Sequence, residues 1–280
     1  MAFFRQFPKT QYDFFNRGVN YNITDMFRYV NVDYSFLDDV ATYSYYRIQN
    51  GERPDIVSQR LYGTPDYYWT FFIVNDHLKT GLAGWPLPQE LFEDYMNTEY
   101  SGVAVNSKVN LGINAAGEVL YTNALADEFP IGTRVTIASA GPPAPITGIP
   151  TTIIRGSGTV YARNPQSCQL IIRDIEEFVT NPFVEEGFIQ STNDSLTIRS
   201  FSPYRDAIKY YIDTTTGLES YNPFFFDPTE LDNPEFLNLQ GVTYYEYESD
   251  LNDKRSDIRI VRPSLIYKFA NQFSKLINAN

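Results

Sequence analysis

Cysteine and histidine are nearly missing from this chain. One cysteine, Cys168, in 280 residues excludes an internal disulfide and any zinc site built from several thiolates. His77 is the single histidine, so a Ser-His-Asp or Cys-His site would have to use it, yet no serine stands in a nucleophile-elbow context. Its place directly after Asn75-Asp76 suits a hydrogen-bonding residue at a turn or helix end. Long hydrophobic runs are also absent. The longest, around Tyr67 to Val74, falls far short of the roughly 20 residues of a membrane span. The N-terminal "MAFFRQFPKT" lacks the charged region and long apolar core of a signal peptide. These absences predict a soluble protein made in the cytoplasm, in which the Asn-x-Ser/Thr sequences at Asn22 and Asn193 carry no glycosylation. Positive charge is scarce as well: 22 Lys and Arg against 34 Asp and Glu leave a net charge of −12. With no long cationic run, nucleic acid is not an expected partner.

Carboxylates are plentiful but not arranged for catalysis. Adjacent pairs such as Asp38-Asp39 and Glu176-Glu177 point in different directions, whereas glycoside hydrolysis needs two carboxylates facing each other across a bond. "GSG" at 156 to 158 is too short to cradle a phosphate and reads as a tight turn. We assign no catalytic residue, no cofactor and no metal ligand from the sequence.

What the chain does have is aromatic residues, 16% of the total, with 22 Tyr and 21 Phe. Such rings serve equally as core and as interface, because a ring can be dry at one end and hydrogen-bonded at the other. Residues 1 to 41 mix aromatic, polar and turn residues without a sustained period and read as an N-terminal arm, with Thr24 capping a short helix around Asp25 to Val30. From Thr42 the chain becomes regular. "TYSYYRI" suits a strand ended by Asn50-Gly51. Pro54 opens a helix with Ile56, Val57 and Leu61 on one side, and Gly63 closes it. Thr64-Pro65 starts a second, in which "DYYWTFFIV" is apolar nearly all round and therefore buried. An amphipathic helix over Pro88 to Tyr95 follows, with Leu91, Phe92 and Tyr95 on one face.

After about Ser101 the texture changes to short β-branched runs separated by Gly, Pro and Asn, predicting an inserted antiparallel β domain over residues 101–213. "GPPAPITGIP" at 141 to 150 is expected to be an exposed loop. Residues 214–255 form an acidic, aromatic-rich connecting segment. Over 227 to 253 it holds Asp and Glu but no Lys or Arg, which fits either a solvated acidic loop or a strip that docks on a basic groove. Residues 256–280 supply a short strand over "DIRIVRP" and a last helix, capped by Ser264, whose Leu265, Phe269, Phe273 and Leu276 share a face widened by Ile266 and Ile277.

The order strand, Gly turn, helix, Gly, helix, Asn in "YRIQNGERPDIVSQRLYGTPDYYWTFFIVN" resembles the first three elements of a LysM module. Its closing strand is missing where it should stand and is expected in "DIRIVRP", so the module is split by the insertion. "NGERPDIVSQRLYG", "YYWTFFIVND", "GWPLPQELFEDYM" and "TYYEYESDLNDKRSDIRIVRPS", taken together, resemble the baseplate wedge protein fifty-three family of T-even-like contractile-tailed bacteriophages, over the early part to about residue 100 and again from about 242 to the end. Residues 101 to about 200 do not resemble the short version of that family.

The resemblance implies an α+β fold with a split LysM-like core, an N-terminal arm and a C-terminal amphipathic helix. It also implies a non-enzymatic virion subunit, assembled in the host cytoplasm, that joins other wedge proteins so that six wedges close into a ring. The implied partners are the sheath-like wedge initiator, the wedge-core heterotrimer and neighbouring wedges. The module-defining or interface positions are Tyr46, Gly51, Glu52, Pro54, Tyr62, Gly63, Trp69, Asn75, Trp85, Tyr245, Glu246, Arg255, Phe269 and Phe273. The alternative is a LysM-type glycan-binding module of a tail protein. Ordinary LysM modules hold N-acetylglucosamine polymers between the loop after the first strand, here Asn50 to Arg53, and the loop before the last, here displaced by the insertion.

Overall fold

The computed structural model describes residues 7–25, 42–107, 111–113, 119–121, 129–145, 149–164, 168–192, 195–220 and 238–278. The chain opens with strands β1 (Lys9–Tyr12), β2 (Tyr21–Thr24) and β3 (Tyr43–Arg47), then helices α1 (Pro54–Tyr62), α2 (Trp69–Val74) and α3 (Gln89–Glu99). Strands β4 (Val103–Ser107), β5 (Leu111–Ile113), β6 (Val119–Tyr121), β7 (Arg134–Pro143), β8 (Pro150–Asn164) and β9 (Gln169–Glu177) follow, then β10 (Phe188–Gln190), β11 (Ser195–Pro203), β12 (Ile208–Asp213), β13 (Glu219–Ser220) and β14 (Leu239–Thr243). Helix α4 (Tyr244–Ser256), strand β15 (Asp257–Val261) and helix α5 (Ile266–Asn278) end the chain. The fold is mixed α and β, with five α-helices among the described residues. Two compact units result, one from residues 1–92 and 250–280 and one from 93–249, with both boundaries inside helices, α3 and α4.

In the first unit, β3 pairs antiparallel with β15, Tyr45 opposite Arg259 and Ile258 opposite Tyr46. The helices beside this two-stranded sheet follow the local signals. Pro54 sits in the first turn of α1, where its missing N–H costs nothing, and Gly63 ends the helix at φ 75° with its N–H on Gln59 O. Only glycine takes that left-handed cap without strain. Thr64 then accepts a hydrogen bond from Asp66 N at the start of a 3₁₀ turn over Pro65–Tyr67 that leads into α2. Two apolar clusters form on these elements. One gathers Phe7, Trp69, Val261, Ile266, Phe269, Phe273 and Ile277; the other gathers Ile48, Val57, Phe71, Leu78, Trp85, Ile258 and Ile260.

Three expected inward side chains face solvent instead: Ile56 on α1, Leu91 on α3 and Leu276 on α5. The single-face reading widened each apolar stripe by one residue too many. The arm is also more regular than expected, because Lys9–Tyr12 and Tyr21–Thr24 form a hairpin with Lys9 opposite Thr24. The helix expected beyond Asp25 lies outside the described residues.

In the second unit six antiparallel strands close into a barrel in the order β10-β11-β4-β9-β8-β7. Closure satisfies every edge. Alternate residues point inward and fill it with Val105, Val135, Ile137, Val160, Leu170, Ile172, Ile189 and Ile198. The "GSG" run is no turn; it lies inside β8, where a Cβ on Gly156 would stand 2.8 Å from Glu176 O and one on Gly158 2.4 Å from Ile172 Cγ2. The two ends of "GPPAPITGIP" are strand rather than loop, since β7 runs to Pro143 and the ladder with β8 extends to the Pro143 and Pro150 pair. The strand Phe188–Gln190 was missed, being three residues long. The end of the acidic segment is ordered rather than a solvated loop: β14 pairs with β12, and α4 starts with a capping box in which Thr243 N donates to Glu246 Oε2 and Glu246 N to Thr243 Oγ1. Its earlier part, with Phe236, lies outside the described residues.

Candidate functional site

The turn after β3 is organised around Glu52. Its Oε2 accepts Tyr46 OH at 2.8 Å and Gln49 N at 2.9 Å, Arg60 pairs with its Oε1, and Arg60 Nη1 also donates to Tyr46 OH. Burial, then the nearby Glu52 carboxylate, hold the Tyr46 phenol above its ordinary range. Gly51 supplies the positive φ of 77° that the turn needs. Trp85 Nε1 donates to Glu52 O at 2.7 Å and Gln89 N to Asn50 Oδ1 at 2.9 Å, so the segment after α2 is fastened to this turn. The same segment is tied to the residues before β15, because Leu87 N donates to Asn252 Oδ1 and Asn252 Nδ2 to Leu87 O. Between these pieces lies a hollow of about 440 Å³ walled by Arg47, Asn50, Pro86, Leu87, Asn252 and Asp253. The turn after β3 therefore faces the last turns of α4, a helix that runs into β15 with no loop between them.

The other predicted positions serve the same unit in other ways. Tyr62 OH donates to Val261 O at 2.9 Å, and its burial holds the phenol well above the ordinary range. Asn75, itself buried, bonds through its carboxamide to Phe71 O and to both main-chain groups of Arg259. Trp69 packs on Phe273 with ring centroids 4.7 Å apart and on Phe269 at 6.1 Å. Phe269 and Phe273 are therefore core residues. Tyr245 and Glu246 stand in the second unit, where Tyr245 OH donates to Glu93 Oε1 at 2.6 Å and Glu246 caps α4. Arg255 is half-buried in the last turn of that helix.

The surface that sequence reasoning described only as an arm is the hairpin. Its tip is set by Asp13, whose carboxylate accepts Phe15 N and Gly18 N. Tyr12, Phe14, Phe15, Val19 and Tyr21 are all exposed there. Tyr12 and Phe14 meet edge to face at 4.9 Å, Phe14 lies 6.1 Å from Tyr21, and Arg17 stands 5.6 Å over Phe15. Phe7 is buried with Trp69 and Phe273 and anchors the base. A run of exposed rings of this kind marks a contact surface rather than a pocket.

Residues 2–133 match the family model described as base plate wedge protein 53. The match supports the family resemblance seen in the sequence and, with it, a structural baseplate role in a phage virion. It takes in the hairpin, β3 and helices α1 to α3, and stops just before β7. It runs past residue 100, the limit of the early resemblance, and does not include the returning stretch from 242. A comparison with curated proteins finds no match to this chain. No helix among the described residues is long and apolar enough to cross a membrane.

Proposed function

We propose that the chain is a non-enzymatic structural subunit of a phage tail baseplate wedge, one that joins other wedge proteins and helps wedges close into a ring around the central hub. The sheath-like wedge initiator, the wedge-core heterotrimer proteins and neighbouring wedges are its partners, and it is assembled in the host cytoplasm. The observation that carries this reading is the wedge-family match over residues 2–133. Within that span the hairpin offers four exposed aromatic side chains, Tyr12, Phe14, Phe15 and Tyr21, the residue types enriched at interfaces.

Co-expression with the other wedge proteins of the same phage tests it. The chain should co-elute with at least one of them, and a Phe14→Ser, Phe15→Ser, Tyr21→Ser variant should melt unchanged yet bind about tenfold or more weakly. A chain that elutes alone from every such mixture would refute the proposal.

A second reading, glycan binding, draws on the 440 Å³ hollow between the turn after β3 and the end of α4. Its walls carry no aromatic ring on which a sugar could stack, and Pro86 to Gln89 already occupy one side. Saturable retention of the chain on purified peptidoglycan, absent on cellulose, would favour this reading over assembly.

A further inference from the structure

Among the described residues, the two-stranded sheet of the first unit is finished on one side and has an unpaired strand edge at Tyr45 on the other. Main-chain bonds join Ile48 N to Ser256 O and Arg262 N to Thr42 O, so the alternation of an antiparallel ladder turns the N–H and C=O of Tyr43, Tyr45 and Arg47 away from β15. The same alternation turns Arg259 and Val261 away from β3, and there side chains of the helices close the edge: Asn75 takes both groups of Arg259, and Tyr62 takes Val261 O. On the β3 side Tyr43 O accepts Arg262 Nε at 3.1 Å and Arg47 O accepts Gln49 Nε2 at 3.0 Å. Between them, the N–H and C=O of Tyr45 meet no partner among the described residues. An open strand edge is a template for another strand.

The side chains around that gap have the character of a binding surface. Tyr45 is 73% exposed and stands edge to face on Tyr43 at 5.7 Å. Arg259, cross-strand from Tyr45, is exposed, lies 5.4 Å over the Tyr43 ring and makes no ion pair among the described residues. Arg47, on the edge strand itself, is 60% exposed and holds Asp253 and Asp257 only at 3.7 and 3.8 Å. Asp76 also acts on Arg259 but is taken by Lys79. The exposed Arg259 and the loosely held Arg47 thus leave positive charge beside the edge, on a chain whose net charge is −12.

We propose that the free edge of β3 takes an extended, acidic segment of another baseplate protein as a third strand. Main-chain bonds to Tyr45 supply the affinity, and a carboxylate opposite Arg47 sets the register. A second copy is the poorer occupant. Antiparallel pairing centred on Tyr45 would set Arg47 against Tyr43, with no carboxylate across the seam. The proposal names the partner chemistry for the wedge reading and rests on it.

The test uses the full chain with the co-expressed wedge proteins and an array of overlapping peptides from their sequences. Tyr45→Pro removes the outward N–H together with the ring and is tolerated on an edge strand; Tyr45→Thr keeps the donor and removes the ring alone. The expected result is retention of acidic peptides by the parent, about tenfold or more weaker binding by the proline variant, and binding by the threonine variant within about threefold. Hydrogen exchange of residues 43–47 in the unmutated chain should slow about tenfold or more in the complex, a readout that holds even where the proline variant does not fold. A complex in which these amides stay unprotected, or which the folded proline variant forms as well as the parent, overturns the edge proposal and leaves the wedge reading standing. No complex at all overturns both. A dimer of the isolated chain that the proline substitution abolishes assigns the edge to a second copy and also overturns the proposal.

Discussion

The carboxamide of Asn75 forms both main-chain hydrogen bonds of Arg259, giving Nδ2–H to its carbonyl at 2.8 Å and accepting its N–H at 2.8 Å, across 184 residues of sequence. The side chain acts as a one-residue strand on the outer edge of β15, and its Nδ2 also reaches Phe71 O at the end of α2. One amide thereby joins the helix pair to the strand that returns after the insertion.

Replacing it tests that joint. Asn75→Ala strands the N–H and C=O of Arg259 and the Phe71 carbonyl, and should cost about 2 to 4 kcal/mol at one or more kcal/mol per buried unmet group. Asn75→Asp should cost at least as much, because a carboxylate cannot donate and would face two carbonyls. Tyr62→Phe, which removes the bond to Val261 O, should cost about 1 kcal/mol. Urea unfolding followed by far-UV circular dichroism measures all three; an Asn75→Ala chain as stable as the parent would remove the amide from this role.

The last helix belongs to the core of its own unit. Phe273→Ala should destabilise by about 3 to 5 kcal/mol, the usual cost of emptying a buried phenylalanine site, and should shift the emission of Trp69, which lies against that ring. Leu276→Ala should stay within about 0.5 kcal/mol, since Leu276 is 52% exposed. Removal of residues 264 to 280 should unfold the first unit, visible as lost cooperativity in thermal melting, rather than yield a folded chain deficient only in assembly.

The barrel wall should reject a single methyl group at its glycines. A Cβ on Gly102, where φ is +102°, would come 2.4 Å from Ile172 O, and one on Gly156 2.8 Å from Glu176 O. Backbone atoms of a closed ladder have nowhere to move. Gly102→Ala and Gly156→Ala should each cost about 2 kcal/mol or more, whereas Gly217→Ala, at a turn with open space around it, should pay only its left-handed φ, about 1 kcal/mol. Equal melting temperatures for the three would contradict the packing.

High pH should unfold the protein. Burial raises the phenols of Tyr62, Tyr100, Tyr204, Tyr211 and Tyr244 above their ordinary value and pushes the Cys168 thiol up to about 11. A raised folded pKa means that the folded state holds its proton more tightly. The stability so contributed is complete below the unfolded values, about 8.5 for the thiol and 10 for the phenols, and is lost as pH rises through the folded ones. Tyrosinate absorbance at 295 nm should show a late, steep phase from these buried rings that coincides with loss of circular dichroism. A smooth titration of every tyrosine near pH 10 with the fold intact would refute it. Cys168 should react with a thiol reagent at pH 8 only after denaturant is added.

Much of this molecule was legible in the sequence where the cause is local. Pro54, Gly63 and Pro65 set the starts and stop of α1 and of the 3₁₀ turn leading into α2 through φ constraints and caps that act within a few residues, and β-branched runs marked most barrel strands. Faces were legible only in outline: Ile56, Leu91 and Leu276 look as apolar as Val57, Phe92 and Ile277, yet which side of a stripe is covered depends on the width of what packs against it. The glycines of β8 show the limit clearly, since "GSG" makes a turn in isolation and a close strand crossing when Ile172 and Glu176 lie behind it.

Only the tertiary structure decided the register of Tyr43–Arg47 on Asp257–Val261, that six strands close on one another, and that Tyr12, Phe14, Phe15 and Tyr21 stand exposed on the hairpin while Trp69, Phe269 and Phe273 are buried. Local propensity can make a strand but carries no record of its partner. The pairing is chosen by the sum of buried apolar area and satisfied main-chain groups over the whole unit, a sum to which Asn75 and Arg259 contribute only once the fold has brought them together.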